Sequence, residues 1–342
     1  MSPAPLTFVV GAGRCGSTMV SRVLREHPDV LSVSELFQRE EMVPTLKSPA
    51  IDGAEMWRWL STPRPLLDAF FSSGVIPEMR YARDGRFKPD TGIPLICHGV
   101  LPMLSNDPDT LFDLLAAEVP TWPSRSAADH YRSLFGFLGQ HLGKRVTVER
   151  TGGSIAQVEA LRKQFPEARF VYLHRDGPDC AVSMSRHPMF RLTVLEGALR
   201  QARTGSVEEI PEEVRGPDAA TIDMDRLMSF PIPLTSFGNL WSFCICQGLP
   251  VLAELPPGNW TRLRYEDILE DPVAELTRLA DFIGVTATAE WLAAATALMV
   301  RSRPVNIAAE LAPDALAAVQ KACVPGVKAI AAAERRLQKL AI

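Results

Sequence analysis

Gly11, Gly13 and Gly16 share eight consecutive positions near the start of the chain with Arg14, Cys15, Ser17 and Thr18. Glycines let backbone N–H groups converge on one point, and a helix that begins there adds its partial positive charge. One guanidinium and two hydroxyls beside them make a clamp for a phosphate. Arg175 and Ser183 form a second group of anion-binding types, eight positions apart. Glu35 and His98 have the side chains to accept a proton. Each has a purely structural alternative: a glycine turn that starts a core helix, a surface ion pair of Arg175 with Asp176, a strand-end carboxylate paired with a nearby arginine, and a packed core histidine.

The surrounding pattern says which elements hold these groups. Phe8, Val9 and Val10 predict a buried strand, and Met19, Val20, Val23 and Leu24 have helical spacing. The glycine loop therefore joins a strand to a helix. Residues 170–173 predict a second strand ending at Arg175. A helix follows, capped by Asp176 or Gly177 with Pro178 in its first turn, and it carries Ser183. Ile155, Val158, Leu161 and Phe165 form one helical face closed by Pro166. Residues 261–265 predict a strand, and a helix runs from Asp271-Pro272 to a Gly284 cap. Glu35 follows the apolar run Val30–Val33, at the carboxyl end of a strand, where open α/β sheets place ligands.

Two general templates fit the loop in part. Gly11-x-Gly13-x-x-Gly16 with Glu35 matches a dinucleotide fingerprint, and Gly11-x-x-x-x-Gly16-Ser17-Thr18 matches a P-loop in which Ser17 stands where lysine belongs. The arrangement Arg14-Cys15-Gly16-Ser17-Thr18 resembles more closely the 5′-phosphosulfate loop of sulfotransferases that use 3′-phosphoadenosine 5′-phosphosulfate (PAPS), with Cys15 in place of the usual serine. Leu-His-Arg175-Asp-Gly-Pro-Asp-Cys-Ala-Val-Ser183 resembles the 3′-phosphate motif of that family. Val148-Glu149-Arg150-Thr151-Gly152 is similar to its Glu-Lys-Thr-Pro segment, with Arg and Gly replacing Lys and Pro. Arg264-Tyr265-Glu266-Asp267 is similar to a later block that we read as scaffold.

The resemblance implies an α/β fold, a P-loop-like parallel sheet flanked by helices with a largely helical insertion. It implies PAPS as co-substrate, held by Gly13, Arg14, Cys15, Gly16, Ser17, Thr18, Arg175 and Ser183, with Arg301 and Arg303 as a late basic segment reaching the 3′-phosphate. It also implies Glu35 as the base facing a hydroxyl or amine acceptor, with Arg14 stabilising the leaving phosphate. His98 is the second candidate base. The alternatives are an NAD(P)-dependent oxidoreductase using Gly11, Gly13, Gly16 and Glu35, and a nucleotide-binding module without catalysis.

With 342 residues, 46% of them apolar, the chain reads as one domain spanning 1–342. Residues 40–140, rich in proline and aromatics, predict a helical acceptor cap with pieces near 54–72 and 109–118. Residues 205–233 predict a solvated acidic loop. The Ala-rich C-terminus predicts helix broken at Pro325-Gly326. A net charge of −4 argues against nucleic-acid binding, and no apolar run of about 18 residues predicts a membrane span. Six scattered cysteines without a Cys-x-x-Cys pair fit a cytoplasmic protein. The histidines have no metal-ligand spacing, so no metal is expected. A small-molecule, lipid or glycan acceptor would fit the cap; oligomeric state stays open.

Overall fold

Five short strands carry the molecule: β1 (Leu6–Val10), β2 (Val30–Ser34), β3 (Val146–Arg150), β4 (Arg169–His174) and β5 (Trp260–Arg264). All pair in parallel in the order β2-β3-β1-β4-β5. The computed structural model describes residues 5–37, 50–74, 80–202, 214, 222–256, 258–299 and 306–340. Phe8 of β1 lies beside Glu149 of β3 and Phe170 of β4. β1, β2 and β3 are buried along their whole length, as parallel strands covered on both faces are, and the burial takes in Ser32, Ser34, Glu149 and Arg150.

Helix α1 (Ser17–Arg25) connects β1 to β2. Between β2 and β3 lie α2 (Gly53–Ser61), α3 (Pro65–Ser73), α4 (Leu95–Gly99), α5 (Leu101–Leu104), α6 (Pro108–Glu118) and α7 (Ala127–His141). Asp52, Asp107 and Ser126 cap α2, α6 and α7 by accepting from Glu55, Thr110 and Asp129 N–H groups. Met56, Leu60, Leu115 and Leu134 bury this helical insertion against the same core that covers the sheet. A separate apolar cluster joins Leu67 and Phe70 of α3 to Leu192, Val214, Ile222 and Leu227.

Past β3, the Ile155–Phe165 face is buried as its spacing predicts, split between a 3₁₀ turn and α8 (Val158–Gln164). Then come α9 (Gly177–Ser185), α10 (Pro188–Ala202), α11 (Met224–Ser229) and α12 (Leu234–Leu252). After β5 follow α13 (Tyr265–Glu270), α14 (Pro272–Ile283), α15 (Ala289–Met299) and α16 (Pro313–Leu340). Tyr265 opens α13 instead of closing the strand. Asp271 and left-handed Gly284 cap α14 as expected.

The C-terminal helix corrects the sequence reading, because α16 runs unbroken through Pro325. Ser242 of α12 supplies the reason. Its hydroxyl donates to the Ala322 carbonyl at 2.8 Å and accepts the Gly326 N–H at 3.3 Å, bridging the turn that Pro325 opens. Continuity gives residues 313–337 the length and apolar composition of a membrane span, which the sequence reading had not found. One face of α16 packs on α12 through Val319, Cys323 and Gly326.

Candidate active site

The loop after β1 turns in left-handed backbone at Gly13 (φ 85°), Arg14 (φ 55°) and Gly16 (φ 90°). A Cβ on Gly13 would stand 2.3 Å from the Phe190 ring, and one on Gly16 would stand 2.2 Å from the Tyr265 ring. Glycine is required at both positions by conformation and by space. α1 begins at Ser17 with Gly16 at its N-cap and no side-chain cap, so the backbone leads straight to the cavity. Cys15 is 1% exposed, and burial pushes its thiol above the usual range. Its side chain fills the space over Gly11, and only its backbone faces the loop.

Arg175 leaves the carboxyl end of β4, and Asp176 caps α9 by accepting the Asp179 N–H at 3.0 Å. Arg175 is no surface residue. Its guanidinium donates to Asp179 at 2.8 Å and sits 4.9 Å over the Tyr265 ring. Asp179 also accepts the Asn306 and Ala308 N–H groups at 2.8 and 2.9 Å, fixing the start of the C-terminal segment against α9. Ser183 lies one and a half turns along α9, where its Oγ accepts from Arg14 Nε at 3.2 Å. The two motifs, distant in sequence, thus meet. Arg301 and Arg303 lie outside the described residues.

Glu35 follows β2 directly, with a φ of 59°. Arg150 pairs with one carboxylate oxygen, and the Gly152 N–H donates to the other at 3.1 Å. Beneath them Glu149 is fully buried, accepting from the Thr151 hydroxyl at 2.5 Å and the Leu36 N–H at 3.3 Å. Burial pushes its carboxyl up to about 8 despite those donors. Across the cavity, His98 of α4 is 3% exposed, with Nε2 3.1 Å from Asp68 Oδ1 of α3. Burial pushes the imidazole down to about 4, so it is neutral at physiological pH. His174 is buried against Tyr172 at the end of β4 and likewise lowered to about 4.

One cleft gathers Gly13, Arg14, Ser17, Thr18, Glu35 and His98. Arg175 lies behind its donor side, and Ser183 is joined to it through Arg14. Leu67, His187, Met189 and Phe190, which belong to no motif in the sequence, also line the cleft. Tyr265, expected as scaffold, instead sets its ring between Gly16 and Arg175. Arg150 was visible as part of the Glu-Arg-Thr-Gly segment, without a role. Neither α10 nor the turn before it carries a motif, so nothing local in the sequence could have placed His187, Met189 and Phe190 at the cleft. Among the described residues no group of three or more His, Cys, Asp or Glu is placed to hold a metal ion.

The dinucleotide reading fits this geometry poorly. A dinucleotide fingerprint gives no part to Arg14, Ser17 or Thr18, nor to the hydrogen bond that joins Arg14 to Ser183.

Solved structures with a similar arrangement include a sulfotransferase domain from the curacin biosynthetic pathway (15% identity, 84% of this chain and 76% of that one, TM-score 0.48). Another is the sulfotransferase domain of the Synechococcus PCC 7002 olefin synthase (16% identity, 93% and 94%, TM-score 0.46). A third is sulfotransferase STF9 from Mycobacterium avium (15% identity, 94% and 76%, TM-score 0.43). No curated protein sequence matches the chain. The profile of the sulfotransferase domain matches residues 5–299, which takes in all five strands and both anion-binding motifs. The chain belongs to the sulfotransferase domain family.

Proposed function

We propose that this sulfotransferase takes PAPS as donor along the Arg14–Ser183 contact and passes the sulfuryl group to a hydroxyl (or amine) of a small-molecule, lipid or glycan acceptor. The 3.2 Å hydrogen bond between these two motifs carries the reading, because it supports two anion sites on one ligand. Gly13, Gly16 and the start of α1 offer the close backbone approach a phosphate needs, with Ser17 and Thr18 hydroxyls beside them. Arg175, oriented by Asp179 and Tyr265, and Ser183 would take the 3′-phosphate.

Sulfuryl transfer, like phosphoryl transfer, is an in-line displacement with a loose transition state, so positioning and electrostatics dominate. Charge grows on the bridging oxygen as the S–O bond to the 5′-phosphate breaks. Arg14 and the loop donors would stabilise it. Glu35 would take the acceptor proton. Arg150 and Gly152 hold its carboxylate in one orientation, and a carboxylate has about four lone-pair sites, so two donors leave room for a third.

The test is isothermal titration with adenosine 3′,5′-bisphosphate, NAD and ATP in parallel. Binding of the bisphosphate alone, weakened separately by Arg14→Ala and Arg175→Ala, is the expected outcome. Binding of NAD without the bisphosphate would overturn the reading.

A further inference from the structure

Asp68 and His98 are a buried titratable pair in the wall of the cleft, at 6% and 3% exposed, with no part in sulfuryl transfer from PAPS to Glu35's acceptor. Asp68 Oδ1 accepts the Ile93 N–H at 3.1 Å and lies 3.1 Å from His98 Nε2. Both ring nitrogens of His98 are buried and neither makes a hydrogen bond among the described residues, Asp68 Oδ1 being near Nε2 without bonding to it, although the side chain lines the cleft. Phe71 meets the imidazole edge to face at 6.0 Å and blocks rotation on one side. The next residue, Gly99, packs on Glu35: a Cβ there would stand 3.5 Å from that of Glu35. The pair is therefore built into the wall of the cleft that holds the proposed base.

We propose that Asp68 and His98 recognise a second hydroxyl on the acceptor, so that the natural acceptor is a diol or polyol carried on an apolar body. This rests on the sulfotransferase reading of the cleft. With its carboxyl oxygen 3.1 Å from Nε2, Asp68 favours the proton on that nitrogen, which leaves a lone pair on Nδ1 to accept. The neutral state of the imidazole suits that role. A non-reacting acceptor hydroxyl donates to Nδ1 while the reacting hydroxyl faces Glu35. Leu67, Met189 and Phe190 supply the apolar wall around them. No proton is transferred to His98; Asp68 and His98 position the acceptor and discriminate against analogues that leave Nδ1 unpaired.

The experiment compares matched acceptors with PAPS as donor: catechol and resorcinol against phenol, and cyclohexane-1,2-, 1,3- and 1,4-diol against cyclohexanol. At least one diol should exceed its mono-ol by about 10²-fold or more in kcat/KM. His98→Leu should reduce that ratio to within about tenfold, chiefly through KM. Asp68→Asn, which keeps the volume, should reduce it in part. Adenosine 3′,5′-bisphosphate should bind all three proteins equally. Equal turnover of diols and mono-ols, a preference that survives His98→Leu, or transfer to no compound by a protein that still binds the bisphosphate would each overturn the proposal. Loss of bisphosphate binding by the unmodified protein would instead overturn the donor-site reading beneath it.

Discussion

Arg14 Nε donates to Ser183 Oγ across 3.2 Å, joining residues 169 positions apart in the chain. The bond ties the glycine loop after β1 to the helix after β4, whose parent strands are neighbours in the sheet. Arg14→Ala removes a preorganised cation from the transfer point and should lower kcat by about 10²–10³-fold, about 3–4 kcal/mol of barrier. Ser183→Ala should weaken bisphosphate binding by about 1 kcal/mol, in the range of a single hydrogen bond. Steady-state kinetics and titration on the same preparations separate the two effects.

Gly13→Ala should abolish bisphosphate binding and lower the melting temperature. The new methyl would stand 2.3 Å from the Phe190 ring, in backbone with a φ of 85°. Adding Phe190→Ala frees the space but leaves the left-handed strain, so the double variant should recover part of the stability. Full recovery would show that crowding alone was at fault.

Glu35→Gln should reduce turnover by about 10²–10⁴-fold while bisphosphate affinity holds, as expected for loss of a general base. Arg150→Ala leaves the Glu35 carboxylate without its buried counterion. Breaking such a pair costs about 3–5 kcal/mol, so this variant should melt markedly lower; Glu35→Gln also strips the buried Arg150 of its counterion but keeps an acceptor for it, so it should melt lower by less.

Stability should fall on both sides of neutrality, for different residues. Glu149 is raised to about 8 from an ordinary 4.5. Between those values the folded chain keeps a proton that the unfolded chain has released. Stability therefore declines as pH rises through that window and levels off above it. Glu149→Gln should flatten the decline in melts between pH 6 and 9. His98 and His174 are lowered to about 4 from 6.5. They stay neutral while the unfolded imidazoles charge, so stability also declines as pH drops from 6.5 toward 4.

Ser242→Ala should destabilise the protein by about 1–3 kcal/mol, the cost of stranding buried polar groups. It removes the hydroxyl that serves both the Ala322 carbonyl and the Gly326 N–H. Thermal melts would read this as a drop of a few degrees. An unchanged melt would mean that α16 continues past Pro325 without that bridge.

Much of the fold was legible because its signals are local. Phe8–Val10 and Phe170–Leu173 are apolar runs bounded by polar turns, and the helices start where Asp176 and Asp271 cap them. The positions of Arg14, Ser17, Thr18, Glu35, Arg175 and Ser183 follow from those units, since each sits at the carboxyl end of a strand or within the helix after it. Continuous α16 was not legible. Pro325 and Gly326 are strong breakers taken alone, and the hydroxyl that overrides them comes from α12, 83 residues before Pro325.

The sequence by itself determined the parallel α/β frame and the two anion-binding motifs, because strand period, glycine loops and caps act between residues a few positions apart. Only the tertiary structure decided what those motifs face. It set Phe190 over Gly13, laid Tyr265 between Gly16 and Arg175, paired Glu35 with Arg150, and brought Asp68 to His98 in the cleft wall. Each of these contacts joins separate elements. Each depends on how whole helices and strands bury their apolar faces against one another, which no local spacing encodes.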